Sequence, residues 1–313
     1  MPRHTILLDC DPGQDDALAI LLALASPEEI DLLAITTVGG NVPLAKVSRN
    51  ARQLVELAGF PDVPVHAGCP RPILKTLETA EYVHGDSGIN GYDFPPPSRP
   101  LAPGHAVDVI VATLMARPAG SVTLVAIGPL TNLALAVVKA PEIVPRIARI
   151  VVMGGAIGLG NATPAAEFNI FVDPHAAAVV FECGAPIVMF GLDVTHQVVV
   201  TPQRRGRIAA IGNRAATAAA GMLEFFSRHD MKRYGLGGGL LHDPCTIAWL
   251  IRPSLFSGRD CHVAVETEGR HSAGRTLVDW WPRMERAANA FVADTVDADG
   301  FFDLLAERLA RLP

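Results

Sequence analysis

The sequence predicts an α/β fold: a single domain with a mostly parallel central sheet covered by helices, and the active site at the carboxyl ends of the strands. Three observations lead there. Short apolar runs alternate with amphipathic segments, the runs are continuous rather than alternating in polarity, and Gly, Pro, Asn and Asp punctuate the junctions. Strands alternating with helices imply βαβ units, and uninterrupted apolar runs suit strands covered on both faces. In parallel sheets of this kind ligands bind at the carboxyl ends of the strands.

The elements follow in order. Residues 6–8 form a strand and 16–24 a helix, then 32–37 a strand and 43–57 a helix. Residues 122–127 and 131–138 repeat the pattern, as do 150–153 and 174–181, with a further strand at 187–190. The Pro/Gly-rich segment 78–103 lacks periodicity and is predicted to be a long functional loop. A helical stretch over 202–228 leads to the glycine loop Gly235 to Gly239, which is expected to move when a ligand binds. No linker-like shift in composition interrupts residues 1–313, so one domain is favoured over the two that length alone suggests.

Composition narrows the function. Half the residues are apolar, enough for a large core, and the net charge is −6. Lysine is confined to Lys46, Lys75, Lys139 and Lys232, and no basic block runs along the chain. Nucleic-acid binding, which needs clustered positive charge, is therefore not expected. Residues 1–5 lead into an apolar run too short for a secretion signal, and the weakly polar stretch 122–138 is broken by Gly128, Pro129 and Asn132, so no membrane span is expected. Five cysteines without a CxxC pair suit a reduced, cytoplasmic protein.

The residues after each strand carry the chemistry. Asp9, Asp11, Asp15 and Asp16 lie within eight residues at the end of the first strand. Any one of them is readily a helix cap or a first-turn acid. Four together repel unless a cation or a proton relieves them, and oxygen donors without Cys or His ligands nearby favour Ca²⁺ or Mg²⁺ over zinc. Gly39-Gly40-Asn41 is a plain turn or a ligand amide. Ile127 to Asn132 reads as a strand-to-helix turn capped by Thr131. The glycines from Gly154 to Gly160 match no phosphate-loop motif, whereas Asn161, Glu167 and Asn169 supply the amides and carboxylate that suit sugar hydroxyls. His242-Asp243-Pro244 precedes a helix. Asp243 there is an N-cap or a ligand, and His242 is a candidate proton donor. His84 is ambiguous on its own.

Taken together, Asp9 to Asp16, Ile127 to Asn132, Val152 to Gly155 with Glu167-Phe168-Asn169, and His242-Asp243-Pro244 resemble the inosine/uridine-preferring nucleoside hydrolase family over nearly the whole chain, and the bacterial pyrimidine-preferring members in particular. The resemblance implies the nucleoside hydrolase fold and calcium-dependent cleavage of ribonucleosides to ribose and base. It implies Asp11, Asp16, Asp243 and the carbonyl of Ile127 as Ca²⁺ ligands, and Asp15 as general base. Asn41, Met153, Asn161, Glu167 and Asn169 would hold the ribose, Phe168 would shape the wall, and His84 and His242 would flank the base, His242 as proton donor. Tyr234 stands where pyrimidine-preferring relatives carry an aromatic, and Asp230 replaces a glutamine that reads the base in at least one of them. A small-molecule ribonucleoside partner and a homotetramer or dimer are implied as well.

Two rivals remain. Asp9-x-Asp11 after a first strand also resembles haloacid-dehalogenase-type phosphatases, but no lysine stands at a convincing strand end and Asn161, Glu167 and Asn169 would be idle. A calcium-dependent nucleoside or ribose binding protein would keep every ligand contact and lose only turnover. An intact Asp15 gives no reason to prefer it.

Overall fold

The apolar runs pair edge to edge in a computed structural model that describes residues 3–313. In chain order the first half comprises β1 (His4–Cys10), α1 (Gln14–Leu24), β2 (Ile30–Thr37), α2 (Leu44–Leu57), β3 (Val65–Ala67), α3 (Glu81–His84), α4 (Ala106–Ala116), β4 (Val122–Ala126), α5 (Thr131–Lys139) and β5 (Ile147–Met153). There follow α6 (Phe168–Val172), α7 (Pro174–Glu182), β6 (Ile187–Phe190), α8 (Leu192–Thr195), β7 (Val199–Val200), α9 (Pro202–Ala209), α10 (Arg214–Tyr234) and β8 (Gly239–Leu240). The chain ends with α11 (Pro244–Ile251), β9 (Phe256–Cys261), β10 (Val263–Val265), β11 (Thr276–Val278), β12 (Ala290–Val296) and α12 (Ala298–Leu309).

Eight strands form the central sheet in the order β3-β2-β1-β4-β5-β6-β12-β9, every pair parallel except β12 with β9. The strand order reverses between β1 and β4, and that crevice is where α/β sheets receive ligands. Helices α1, α2, α10, α11 and α12 pack on one face of the sheet, and α4, α5 and α7 on the other. All of α1 is buried, so its acidic first turn is delivered into the interior rather than to solvent.

The predicted alternation is present, with differences at the edges of elements. The 202–228 stretch is two helices, because Gly212 takes a left-handed conformation (φ 78°) and Asn213 caps the second helix through Ala216 N. The 78–103 loop holds one helical turn, α3, which places His84. Periodicity did not mark β3, α4, α12 or the strands β9 to β12; in β9 and β12 exposed and charged residues interrupt the apolar pattern, and β3, β10 and β11 are only three residues long.

Candidate active site

The carboxylates at the end of β1 divide by direction. Asp9, still inside the strand, is held by the Thr36 hydroxyl and by Asn132 Nδ2 at 2.8 Å, so it ties β1 to its neighbours and does not enter the cavity. Asp11 lies past the strand end. Its Oδ2 accepts from the Asn41 amide N at 2.6 Å, while its Oδ1 is buried without a hydrogen-bond partner among the described residues. Gly40 and Gly128 leave room for this carboxylate: a Cβ on Gly128 would lie 2.6 Å from Oδ1, and one on Gly40 would collide with Oδ2.

Asp16 accepts from the backbone N of Asp11 (3.1 Å) and Gly13 (3.0 Å) and from Asn41 Nδ2 (3.2 Å). It is thus both cap and candidate ligand. Asp243 precedes Pro244 in the position of an N-cap, but its backbone is already helical and its side chain caps nothing, so the carboxylate is released to the cluster. Ligand atoms of Asp15, Asp16 and Asp243 lie within 4.8 Å of one another, all buried.

Burial and mutual repulsion dominate the electrostatics. Burial first, and then Asp16, push Asp11 and Asp15 well above the usual carboxylate range. Burial and then Asp15 do the same to Asp243, and Asp16 is raised to about 6 by burial. Crowded buried carboxylates with an orphaned oxygen lack a positive partner, and an oxygen-ligated metal ion fits them.

Around this cluster opens a partly enclosed cavity. It brings together Asp15, Asn41, His84, Ile127, Met153, Asn161, Glu167, Phe168, Asn169, Tyr234, His242 and Asp243, while Asp11 and Asp16 lie behind its wall, joined to it through Asn41. Asn169 Nδ2 donates to the carbonyls of Ile127 (3.0 Å) and Met153 (3.1 Å), fixing the ends of β4 and β5. Glu167 caps α6 through Asn169 N (2.9 Å) and also accepts from Gly155 N (2.9 Å); burial raises it to about 7. Asn161 Oδ1 accepts from Phe168 N at 2.9 Å.

The opposite end is aromatic. His84 stacks on Phe226 with ring centres 5.6 Å apart, and its Nδ1 lies 2.6 Å from Gln14 Oε1. His242 Nδ1 lies 2.8 Å from the Thr195 hydroxyl. Burial holds both imidazoles neutral, at about 3. A neutral His242 that accepts at Nδ1 carries its hydrogen on Nε2, so it meets a base as a hydrogen-bond donor. Tyr234 ends α10, followed by Gly235 in the left-handed conformation (φ 66°). Asp230 also lines the cavity; Leu240 N donates to its Oδ2, and burial lifts it to about 6.

Several pocket residues were not read from the sequence: Tyr82, Phe226, His229 and Arg233 line the wall, and Arg233 donates to the Asn161 carbonyl at 2.6 Å. Thr195, which holds His242, was also missed. It follows β6 within a few residues, and the strand-end rule applied to that strand would have found it. Thr131, read as a cap, instead donates its hydroxyl to Asp173 at 2.7 Å, and the cap position of α5 falls to Leu130.

The sequence profile of the inosine-uridine preferring nucleoside hydrolases matches residues 6–303. The chain belongs to that family. It is 48% identical to the pyrimidine-specific ribonucleoside hydrolase RihA of Citrobacter koseri over 97% of each chain. Among solved structures it superposes on the plant nucleoside hydrolase PpNRh1 with a TM-score of 0.91 and 35% identity, covering 99% of both chains. The purine-preferring ribonucleoside hydrolase from Gardnerella vaginalis gives the same score and identity over 98% of both. The chain is therefore an N-glycosidase that hydrolyses ribonucleosides, and the phosphatase reading falls away.

Proposed function

We propose that this enzyme cleaves ribonucleosides to ribose and free base with Ca²⁺ as its metal, favouring pyrimidine nucleosides such as uridine and cytidine and accepting inosine. The observation that carries the reading is the buried carboxylate cluster, with the orphaned Asp11 Oδ1, at one end of a cavity whose walls hold amides and whose far end holds neutral imidazoles. The pyrimidine preference is supported by the 48% identity to an enzyme named for it and by Tyr234 beside the base end.

Asp11, Asp16, Asp243 and the Ile127 carbonyl would hold the ion, which supplies positive charge that orients water and substrate and lowers the water's pKa. Asn41, Met153, Asn161, Glu167 and Asn169 grip the ribose, with Phe168 against it. Cleavage passes through a ribosyl cation resembling the oxocarbenium state of other glycosidases, and the carboxylates and amide oxygens around the sugar stabilise that charge. Asp15 takes the proton of the attacking water as the C–N bond breaks and its electron pair leaves with the base; a positioned general base is worth roughly 10²–10⁴-fold. His84 and His242 flank the base, and His242 donates a hydrogen bond to a departing purine.

Five free cysteines, four of them buried, suit a reducing cytoplasmic setting. Among the described residues no helix is long and apolar enough to cross a membrane. A role in nucleoside salvage or catabolism, as a homotetramer or dimer, completes the proposal.

The test is release of reducing sugar from uridine, cytidine, inosine and adenosine, with and without a calcium chelator. Chelator-sensitive ribose, greatest from the pyrimidine nucleosides, is expected. Ribose release indifferent to the chelator would remove calcium from the reading, and a purine-first ranking would reverse the base preference. Binding without ribose from any of the four would leave a nucleoside-binding protein.

A further inference from the structure

His196 stands behind the base-facing end of the cavity and takes no part in the chemistry derived so far. It closes α8, the short helix that follows β6, and its neighbour Thr195 is the hydroxyl that holds His242. Its ring packs against two groups of the cavity wall at once. The ring centres of His196 and His242 are 5.7 Å apart with the planes inclined at 53°, and those of His196 and Tyr234 are 5.7 Å apart at 55°. Its Nε2 is buried and has no hydrogen-bond partner among the described residues. Buried polar atoms are nearly always paired, so an orphan beside an active site calls for a partner that arrives with function.

We propose that His196 is a positioning residue for departure of the base: it holds Tyr234 and His242 in mutual register, and its Nε2 accepts the Tyr234 hydroxyl when a base fills the cavity. Tyr234 ends its helix and is followed by a glycine segment, so a contact with the half-buried His196 ring fixes an aromatic that its own backbone holds only from one side. On the other side the same ring packs at a tilt against His242, whose Nδ1 edge is held by Thr195. One side chain thereby sets the geometry of two groups that meet the base, without touching the ribose or the carboxylate cluster. This inference rests on the hydrolase reading above.

The decisive comparison uses two substrates that differ in how much help the leaving group needs. Uridine requires its base to be stabilised as it departs, whereas the phenolate of p-nitrophenyl β-D-ribofuranoside leaves unaided. His196→Phe keeps the ring packing and removes Nε2. It is expected to lower kcat on uridine by about tenfold or more, with KM changed far less, and to keep the p-nitrophenyl riboside rate close to that of the parent enzyme. His196→Gln, which restores a polar side-chain atom, should recover part of the uridine rate and also serves if the Phe variant does not fold. Equal losses on both substrates, or full activity of both variants on uridine, would overturn the proposal. If the parent enzyme cleaves neither substrate, the hydrolase reading itself fails and takes this inference with it.

Discussion

At the scale of single residues, direction matters more than composition. Asp9 and Asp11 are separated by one residue, and each keeps one buried oxygen without a hydrogen-bond partner among the described residues, yet Asp9 Oδ1 takes both Thr36 and Asn132 within the sheet while Asp11 lies past the strand end against Asn41. Asp15 is the cluster member that lines the cavity from α1. Asp15→Asn should therefore reduce kcat by roughly 10²–10⁴-fold while nucleoside and calcium still bind; near-normal turnover in steady-state assays would remove it as the base. The raised carboxylates also fix a pH dependence. In the metal-free fold Asp16 titrates at about 6 rather than at its ordinary value, through burial. A raised acid stabilises the fold below its unfolded pKa and loses that contribution as pH rises through the folded one. Metal-free protein should thus lose this contribution between about pH 4 and 6, where a bound cation would replace the missing protons. The gain in Tm from calcium, followed by scanning calorimetry, should be larger at pH 7 than at pH 5. An equal gain at both would count against these carboxylates as ligands.

At the scale of elements, the strand ends are pinned by side chains that bridge rather than merely fill. Asn132, at the start of α5, donates to Asp9 Oδ1 and to the Thr37 carbonyl and accepts from Cys69 N, so it couples β1, β2 and the segment after β3. Asn132→Ala strands several buried polar groups at once, each costing about 1–3 kcal/mol, and should lower stability by at least about 2 kcal/mol. Denaturant unfolding measures this, and a loss near zero would mean the bridge contributes nothing net. The alternation of strands and helices was legible in the sequence because parallel strands covered on both faces leave continuous apolar runs. The carboxylates from Asp9 to Asp16 and the Asn41 amide were legible because they fall just after those runs, whereas His84, in an aperiodic loop, and His242-Asp243, after the two-residue β8, were picked out by their resemblance to a family motif. What escaped was of another kind. Strand β3 is three residues long, β9 lies at the sheet edge with exposed positions, and α3 is a single turn inside an aperiodic loop. None has room for a period to establish itself. Thr195 was within reach of the strand-end rule at β6, whereas His196 escaped because its partners, His242 and Tyr234, are distant in sequence and no local spacing reports such a meeting.

At the scale of the whole molecule, the strand order reverses between β1 and β4, where α/β sheets receive ligands, and helices cover both faces of the sheet. Asp11 and Asp16 come from the first connection of the chain, whereas Asp243 arrives after most of the sheet strands are laid down. The cluster exists only where those distant parts have docked, and contacts of such long sequence separation are slow to form. Calcium should accordingly act on one rate alone: it should slow unfolding and leave the refolding rate nearly unchanged, as expected for interactions absent from the transition state. Stopped-flow unfolding and refolding in calcium and in chelator would show this, and faster refolding with calcium would place the cluster in the folding nucleus instead.

The same arrangement bears on synthesis. A growing chain on the ribosome presents Asp11, Asp15 and Asp16 early, but Asp243 is not made until α11 is reached, and it leaves the exit tunnel only as much of the remaining chain is added behind it. Until then the nascent chain would carry a set of ligands too sparse to retain an ion, and loading would await near-completion of translation. An ion bound there would then act as a check on finished molecules, since a chain cut short before Asp243 would gain none of its protection against proteolysis.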